Sequence, residues 1–309
     1  MTRGKRTSGK LTRLGAAMCA ATLGLTLAAC GGDPLSNGGS AANTIVVGSA
    51  DFAENEIIAE IYAQALEAND ISVERKLRIG AREAYIPALK NKEIDLIPEY
   101  TGNLLTYFEK DATATSTQEV QDALDSALPE EFELYDAAEA ENKDSLNVTP
   151  EFAADNDLLT IADLAKVDKL ALAANPEFKE WPGGIPGLER VYGIVGITFV
   201  PISDGGGPAT LKALLDGDVQ VADIYSTTPS ILANKLVTLE DPKNMFTAQH
   251  VVPLIRDAKG SDKVQEVLDK VSGALTTTDL LDLNTKNQGD DKTSAKVLAK
   301  EWLEAKALF

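Results

Sequence analysis

Two tyrosines stand at matching places in two similar stretches of the chain. EIDLIPEYTG (93–102) and DVQVADIYST (218–227) each place a Tyr after an apolar run that is typical of a strand, and an Ala-Leu pair begins twelve residues before each Tyr. In open α/β sheets, ligands bind beyond the carboxyl ends of the strands. If Tyr100 and Tyr225 end strands of two facing lobes, their rings line opposite walls of one ligand cleft. The alternative is that each ring packs under a loop, and the shared register favours the cleft.

The stretches around these tyrosines alternate between strand-like and helix-like patterns. The first alternation comprises a strand at 44–49, a helix that follows the capping-box spacing of Asp51 and Glu54, a strand within SVERKLRIG, a helix at about 83–91 and a strand at 94–98. A second alternation follows the polar stretch ENKDSLNVT. Such alternation is typical of parallel sheets with helical crossovers. It predicts an α/β protein with two lobes, each a mixed, mainly parallel sheet flanked by helices, and a ligand cleft between them.

The domain boundaries follow from these two alternations. The chain after residue 250 has helical patterns and little strand signal, so we expect it to pack on the first lobe and not to form a third. We therefore predict a first lobe from 44–145 plus 251–309 and a second lobe from 146–250. The chain would cross between the lobes near 143–148 and 246–251.

The first 29 residues have the composition of an export signal. Five basic residues precede an apolar stretch that ends in LAAC, with Cys30 last. LAAC matches the bacterial lipoprotein pattern, and this resemblance implies a diacylated Cys30 that anchors an extracytoplasmic protein to the cell membrane. Cleavage at another Ala, which would leave Cys30 as a plain thiol, is the alternative. Residues 30–43, rich in Gly, Ser and Asn, predict a flexible tether.

The charge of the mature chain excludes one class of partner. Removal of the five basic residues of the signal leaves 24 basic and 48 acidic residues, a net charge of −24. Nucleic acid is not an expected partner, because phosphate binding needs a basic surface. An anionic membrane would repel this surface, so the lipid must provide the anchoring. The acid excess favours solubility and adds a weak attraction for cationic ligands.

Motifs of catalysis and of metal binding are missing from the sequence. There is no G-x-S-x-G, no phosphate-binding loop and no His/Cys cluster with metal-ligand spacing, and the single histidine, His250, lies in the predicted second crossing. We therefore predict neither an enzyme nor a cofactor nor a metal site. An enzyme remains one rival interpretation, and a structural or adhesive lipoprotein without transport function is another.

Several segments, taken together, resemble one protein family. They are GSADFAENEII, AREAYIPALKNKEIDLIPEYTG, NVTPEFAADNDLLTIADLA, PGLERVYGI, LVTLEDPKNMF and VVPLI. In this order they resemble the substrate-binding proteins of ABC importers for glycine betaine, choline and related osmoprotectants, over residues 44–305. The resemblance implies a two-lobed, periplasmic-binding-protein-like fold of type II that closes on a solute and delivers it to a permease and an ATPase. It also implies a box of tyrosines around a quaternary ammonium group.

The resemblance carries over to particular residues. Tyr100 matches the tyrosine of PEYTG, and Tyr225 matches the tyrosine that ends a strand of the second lobe. Asn103 lies where the family often has Thr, and Asn55 lies where it often has Gln, in the first turn of the first helix. Arg82 is a possible donor for a ligand carboxylate, with a surface or fold-supporting role as the alternative.

Three positions depart from the family pattern. Leu146 and Gln249 stand where further box tyrosines are common, and Trp181 stands where betaine binders have an Arg that holds the carboxylate. One interpretation is that Trp181 adds a third wall to a cage formed with Tyr100 and Tyr225. The other is that the fold binds a different small solute, such as an amino acid or another zwitterion. Both interpretations count Trp181 and Gln249 among the candidate ligand-binding residues.

Overall fold

The computed structural model describes residues 44–290 and 292–309, so the predicted signal peptide, the tether and Cys30 lie outside the described residues. The strands of this part form two five-stranded sheets. They are β1 (Ile45–Gly48), β2 (Val73–Lys76), β3 (Leu96–Tyr100), β4 (Phe132–Leu134), β5 (Leu146–Val148), β6 (Ala171–Ala174), β7 (Thr198–Pro201), β8 (Val221–Asp223), β9 (Val237–Thr238) and β10 (Val251–Arg256).

Both sheets combine parallel and antiparallel strands. The first has the order β2–β1–β3–β10–β4, in which β1 runs parallel to β2 and β3, and β10 runs antiparallel to β3 and β4. The second has the order β7–β6–β8–β5–β9, in which β6 runs parallel to β7 and β8, and β5 runs antiparallel to β8 and β9. In each sheet the antiparallel strand that lies next to a parallel core strand overlaps the end of a predicted crossing, β5 that at 143–148 and β10 that at 246–251.

The helices of the described residues flank these sheets. They are α1 (Ala53–Ala68), α2 (Arg82–Lys90), α3 (Thr101–Phe108), α4 (Thr117–Ala127), α5 (Pro150–Asp155), α6 (Ile185–Gly187, continued by a π-helical turn over Leu188–Tyr192), α7 (Pro208–Leu215), α8 (Pro229–Ala233), α9 (Asp262–Ala274), α10 (Thr277–Gln288) and α11 (Ala295–Lys306). Short 3₁₀ segments cover Ile161–Lys166, Pro176–Lys179 and Asp257–Lys259. No helix of this part of the chain has the length and apolar character needed to cross a membrane.

Helix α1 is the centre of the core of the first sheet. Its apolar positions recur at helical spacing, and they pack with residues of α9, α10 and α11 in one buried cluster. The helices after residue 256 therefore cover the first sheet. The start of α1 differs from the sequence prediction, because Phe52 is the N-cap and its side chain forms no capping hydrogen bond. Glu54 is instead buried and accepts hydrogen bonds from other elements.

Strand β10 corrects the expectation of little strand after residue 250. VVPLIR forms a buried strand that pairs along β3, with Val251 opposite Tyr100 and Ile255 opposite Leu96. Its apolar run carries no alternation, because both faces of the strand are buried, and a short run of that kind does not distinguish strand from helix. β10 thus fixes the end of β3, where Tyr100 lies.

The two segments that link the sheets lie side by side. Glu141 and His250 form an antiparallel bridge, and the Asn142 N–H donates to the Gln249 carbonyl oxygen over 3.2 Å. One sheet takes its strands from residues 45–134 and 251–256, and the other takes its strands from residues 146–238. The predicted lobe boundaries at 145/146 and 250/251 fall between these two sets of strands, and they stay a prediction.

Candidate functional site

A cavity of about 660 Å³ opens at the strand ends between the two sheets. Four aromatic side chains line it, which are Phe52, Tyr85, Tyr100 and Tyr225. The other lining residues are Ala50, Asp51, Gly80, Ala81, Arg82, Asn103 and Asn142. We call this space the aromatic cavity. It brings together four residues that the sequence predicts as ligand-binding, which are Tyr100, Tyr225, Asn103 and Arg82.

The rings reach the cavity from different elements. Tyr100 is the last residue of β3 and Tyr225 follows β8 by two residues, so each sheet contributes one strand-end tyrosine. Phe52 precedes α1, and its ring centroid lies 6.1 Å from that of Tyr100. Tyr225 and Phe52 are each 42% exposed, whereas Tyr100 is only 5% exposed. The cavity is therefore bordered by two accessible rings and two that are held in the wall.

The hydroxyl groups of the two buried tyrosines point to buried carboxylates. Tyr100 Oη donates to Glu54 Oε1 over 2.6 Å, and Tyr85 Oη donates to Glu99 Oε1 over 2.8 Å. Burial, with the nearby charge of Glu54 as a further cause, raises the pKa of Tyr100 well above its ordinary value. Burial and the charge of Glu99 likewise raise the pKa of Tyr85. Both phenols therefore stay protonated and act as donors.

Arg82 forms a bidentate pair with Glu99 at the edge of the cavity. Its Nε and one terminal nitrogen donate to the two carboxylate oxygens over 2.8 and 2.7 Å, and Glu99 is completely buried. Burial opposes the charge of Arg82, but the hydrogen bonds and the charge of Glu99 outweigh it and raise the pKa of the guanidinium. The pair fixes Glu99, which also accepts the Tyr100 backbone N–H over 3.0 Å. A ligand contact of Arg82 stays a prediction.

Asn55 lies behind the wall of the aromatic cavity and does not line it. The side chain is 1% exposed; its Oδ1 accepts the Ala50 N–H over 2.8 Å, and its Nδ2 donates to the Pro98 carbonyl oxygen over 2.9 Å. These bonds join the start of α1 to the end of β1 and to β3. Through these hydrogen bonds Asn55 positions Ala50. The expected contact of Asn55 with a ligand stays a prediction.

Trp181 and Gln249 line a neighbouring cavity of about 700 Å³, which we call the tryptophan cavity. The Trp181 ring stacks on Phe246 with centroids 6.2 Å apart. Gln249 Oε1 accepts the Asn103 N–H over 3.0 Å, and Asn103 lines both cavities. Apart from Asn55, which lines neither cavity, the predicted ligand-binding residues are divided between two adjoining spaces, with Asn103 at their border. Leu146 lines neither, since it is fully buried in β5 in the core of the second sheet.

Two carboxyl groups lie close together beside Tyr225. Asp144 lines the tryptophan cavity, and its carboxyl group interacts with that of Asp223, the last residue of β8. Burial raises the pKa of both groups, and the charge of Asp144 raises that of Asp223 further. Two such carboxyls cannot both ionise easily, so the folded state favours a proton on the pair. Burial, and then the charges of these two residues and Glu177, raises the pKa of Tyr225 to about 12.

Sequence reasoning missed Phe52, Tyr85 and Asn142 in the aromatic cavity. Phe52 follows β1 by four residues, so the rule that identified Tyr100 and Tyr225 at strand ends also applies to it. Tyr85 lies in α2, within the AREAYIPALK stretch that the resemblance already includes. Asn142 lies in the crossing and carries no local signal, because only the bridge between the two crossing segments brings it to the cavity.

Comparison with known proteins defines the class to which this fold and site belong. The model of the family described as the substrate-binding domain of ABC-type glycine betaine transport systems matches residues 43–305, and the chain belongs to that family. Its members are substrate-binding proteins of ABC transporters and not enzymes, and such proteins work with a permease and an ATPase. The family resemblance is confirmed, as is the two-lobed type II binding-protein fold.

Individual relatives and structures give the degree of similarity. The glycine betaine-binding protein YehZ of Escherichia coli K12 is 27% identical over 86% of this chain and 92% of its own length. The carnitine transport binding protein OpuCC of Listeria monocytogenes is 24% identical over 88% and 90%. The crystal structure of a glycine betaine/carnitine/choline ABC transporter superposes with a TM-score of 0.77 at 23% identity, covering 85% of this chain and 99% of that one. Apo YehZ superposes with a TM-score of 0.74 at 26% identity, over 86% and 99%.

The carboxyl pair predicts an unusual pH dependence of stability. Because the folded state raises the pKa of Asp223, the native protein binds more protons than the unfolded chain above the ordinary Asp value of about 3.9. The contribution of the pair to stability therefore falls as the pH rises from the ordinary Asp value of about 3.9 to the raised pKa of Asp223. Asp223→Asn removes the titrating group, and we expect it to raise the melting temperature relative to wild type at pH 7 but not at pH 3.

Calorimetric scans from pH 3 to pH 8 provide the measurement. Asp155→Asn, in an exposed position of α5, controls for the loss of one acidic charge. An Asp223→Asn protein that is less stable than wild type at pH 7, or one with the same offset at every pH, would contradict the raised pKa of Asp223.

Proposed function

We propose that this protein is an extracytoplasmic solute-binding lipoprotein of an ABC importer that captures a quaternary ammonium compatible solute in the aromatic cavity. Choline and glycine betaine represent this class of solute. The observation that carries the proposal is the set of four aromatic rings around one cavity, with Tyr100 supplied by one sheet and Tyr225 by the other. The names of the relatives, which refer to glycine betaine, carnitine and choline, support the same class.

The chemistry of the cavity suits a quaternary ammonium group. Such a cation has no N–H to donate, so hydrogen-bond acceptors cannot hold it by directed bonds. Aromatic faces attract it through the ring quadrupole by about 0.5–2 kcal/mol per ring, depending on desolvation. The volume of about 660 Å³ lies within the usual range for small-molecule sites.

The polar end of the solute meets amides and not a free guanidinium. Asn103 and Asn142 line the aromatic cavity, and the Arg82 guanidinium there is already paired with Glu99. A hydroxyl group, as in choline, needs only such amide or carboxyl partners. A carboxylate, as in betaine, needs several donors. A different zwitterion or an amino acid is the second candidate, favoured by the Trp at position 181, and the ligand screen below distinguishes the two.

Lobe closure provides the mechanism of capture. A solute that contacts Tyr100 and Tyr225 at once gains contacts that exist only when the two sheets approach, so it stabilises the closed form by that differential affinity. The linked crossing segments at Glu141 and His250 are the places where the backbone would bend. The closed form then delivers its solute to the permease, while a lipid on Cys30 keeps the protein at the membrane.

The proposed function makes a first prediction, which concerns the two strand-end rings. We expect Tyr225→Ala and Tyr100→Ala each to weaken binding of the preferred quaternary ammonium solute by about 1–3 kcal/mol, because each removes a desolvated ring from the cage. Isothermal titration with choline, glycine betaine, carnitine, proline and ectoine measures the affinities. Tyr107→Ala, at a ring that lines neither cavity, should leave them unchanged.

Normal binding by both cage variants would refute the cage. Preferential binding of proline or ectoine by the wild-type protein would instead favour the second candidate, a solute without a quaternary ammonium group.

The second prediction concerns the anchor. Cys30→Ser removes the sulfur that would carry the lipid, so we expect the protein to move from the membrane fraction to the soluble extracytoplasmic fraction. Fractionation of cells followed by immunoblotting provides the measurement, and Cys19→Ser, within the predicted signal, is the matched control that should keep the protein on the membrane. Membrane attachment of the Cys30→Ser protein would show that lipidation of Cys30 is not the anchor.

A further inference from the structure

The tyrosines of the aromatic cavity share a feature that the proposed function does not require. Behind the ring of Tyr100 lies Glu54, at 2.6 Å from the phenol oxygen, and behind that of Tyr85 lies Glu99, at 2.8 Å. Tyr225 lies in the field of Asp144 and Asp223. Tyr100 and Tyr85 thus each donate to a carboxylate at the outer end of the ring, but the Arg82 guanidinium already lies 5.9 Å from the centroid of the Tyr85 ring.

Burying the carboxylate of Glu54 costs free energy unless other groups compensate it. It is 4% exposed, and no Lys or Arg of residues 44–290 and 292–309 forms an ion pair with it. Its charge is balanced by three donors, which are Tyr100 Oη, Asn142 Nδ2 at 2.9 Å and Asn284 Nδ2 at 2.6 Å. The N-terminus of α1 adds the positive end of a helix dipole. The arrangement holds a carboxylate with three hydrogen-bond donors against the phenol of a cavity-lining ring.

A carboxylate in that place changes the ring. When a phenol donates a short hydrogen bond to an anion, the O–H bond is polarised and electron density moves towards the oxygen and the ring. Hydrogen bonds polarise one another most strongly in a surrounding of low dielectric constant, as here. A ring with more electron density presents a more negative face, and the attraction of a cation to that face is electrostatic.

We propose that Glu54 determines charge specificity by acting through Tyr100, so that the cavity selects a cation over a neutral molecule of the same shape. This inference rests on the proposed function, because it needs a quaternary ammonium solute in the aromatic cavity. Glu54 is a positioning and polarising residue here, since it does not line the cavity.

The test compares two ligands that differ in charge alone. Choline and 3,3-dimethylbutan-1-ol have the same shape, with a quaternary nitrogen in one and a quaternary carbon in the other. The measured quantity is the ratio of their dissociation constants, determined on the full-length protein by titration and competition. A variant that only loosens the cavity weakens both ligands and leaves this ratio unchanged, so the ratio separates polarisation from a structural role.

Four variants are compared with wild type. Tyr100→Phe and Tyr85→Phe keep the ring and remove the bond to the carboxylate, and Glu54→Gln keeps the shape and removes the charge. Tyr192→Phe is the matched control, because Tyr192 donates to Asp241 in the core of the second sheet and lines neither cavity. We expect Tyr100→Phe and Glu54→Gln each to lower the preference for choline about threefold or more. Tyr85→Phe should lower it less, because Glu99 is already paired with Arg82, and the control should leave it unchanged.

Different results would contradict this inference alone, or this inference together with the proposed function. An unchanged ratio in Tyr100→Phe and Glu54→Gln, with choline still bound by wild type, would overturn this inference and leave the proposed function intact. A ratio lowered by Glu54→Gln but not by Tyr100→Phe would also overturn it, because the carboxylate would then act through space and not through the ring. Failure of wild type to bind choline, glycine betaine or carnitine would overturn the proposed function and this inference together.

Discussion

Buried carboxylates need hydrogen-bond donors, and the wall of the aromatic cavity is built from the groups that supply them. Glu99 accepts hydrogen bonds from the guanidinium of Arg82, the phenol of Tyr85 and the backbone N–H of Tyr100. Glu54 accepts hydrogen bonds from the phenol of Tyr100 and from two asparagine amides. An unpaired buried charge would cost several kcal/mol. The donors therefore have little freedom to move, and the rings that carry two of them are fixed in the orientation that faces the cavity.

The same requirement joins the site to the parts of the chain that would move. Asn142 lies in a crossing segment, and Asn284 lies in α10 and donates over 3.0 Å to the Thr227 carbonyl oxygen beyond β8. Glu54 thus stands between a cavity ring, the crossing and the second sheet. A solute that displaces Tyr225 or Asn142 alters the surroundings of these donors. The hydrogen-bond network provides a physical connection between the occupied cavity and the relative position of the two sheets.

The parts of the fold that depend on local pattern could be predicted from the sequence. The apolar stripe of α1, the strands β1 and β3 and the helix α7 all follow from spacing within a few residues. Strands β5 and β10 could not, because their buried runs are short and their pairing partners lie far along the chain. The site shows the same division. Tyr100 and Tyr225 are found by their place after strands, whereas the roles of Glu54 and Asn142 arise only when α1, α10 and the crossing meet. Trp181 borders the neighbouring cavity, since its ring packs on Phe246, a contact that no spacing in the sequence encodes.

The most direct test of the account is a crystal structure of the protein with a quaternary ammonium solute, choline or glycine betaine, bound. The account predicts that the ammonium nitrogen lies in the aromatic cavity, within about 6 Å of the ring centroids of both Tyr100 and Tyr225, with the two sheets closed around it. A nitrogen held in the tryptophan cavity against Trp181, or one bound to a carboxylate without contact to either tyrosine ring, would contradict the central claim that paired strand-end tyrosines recognise the cation.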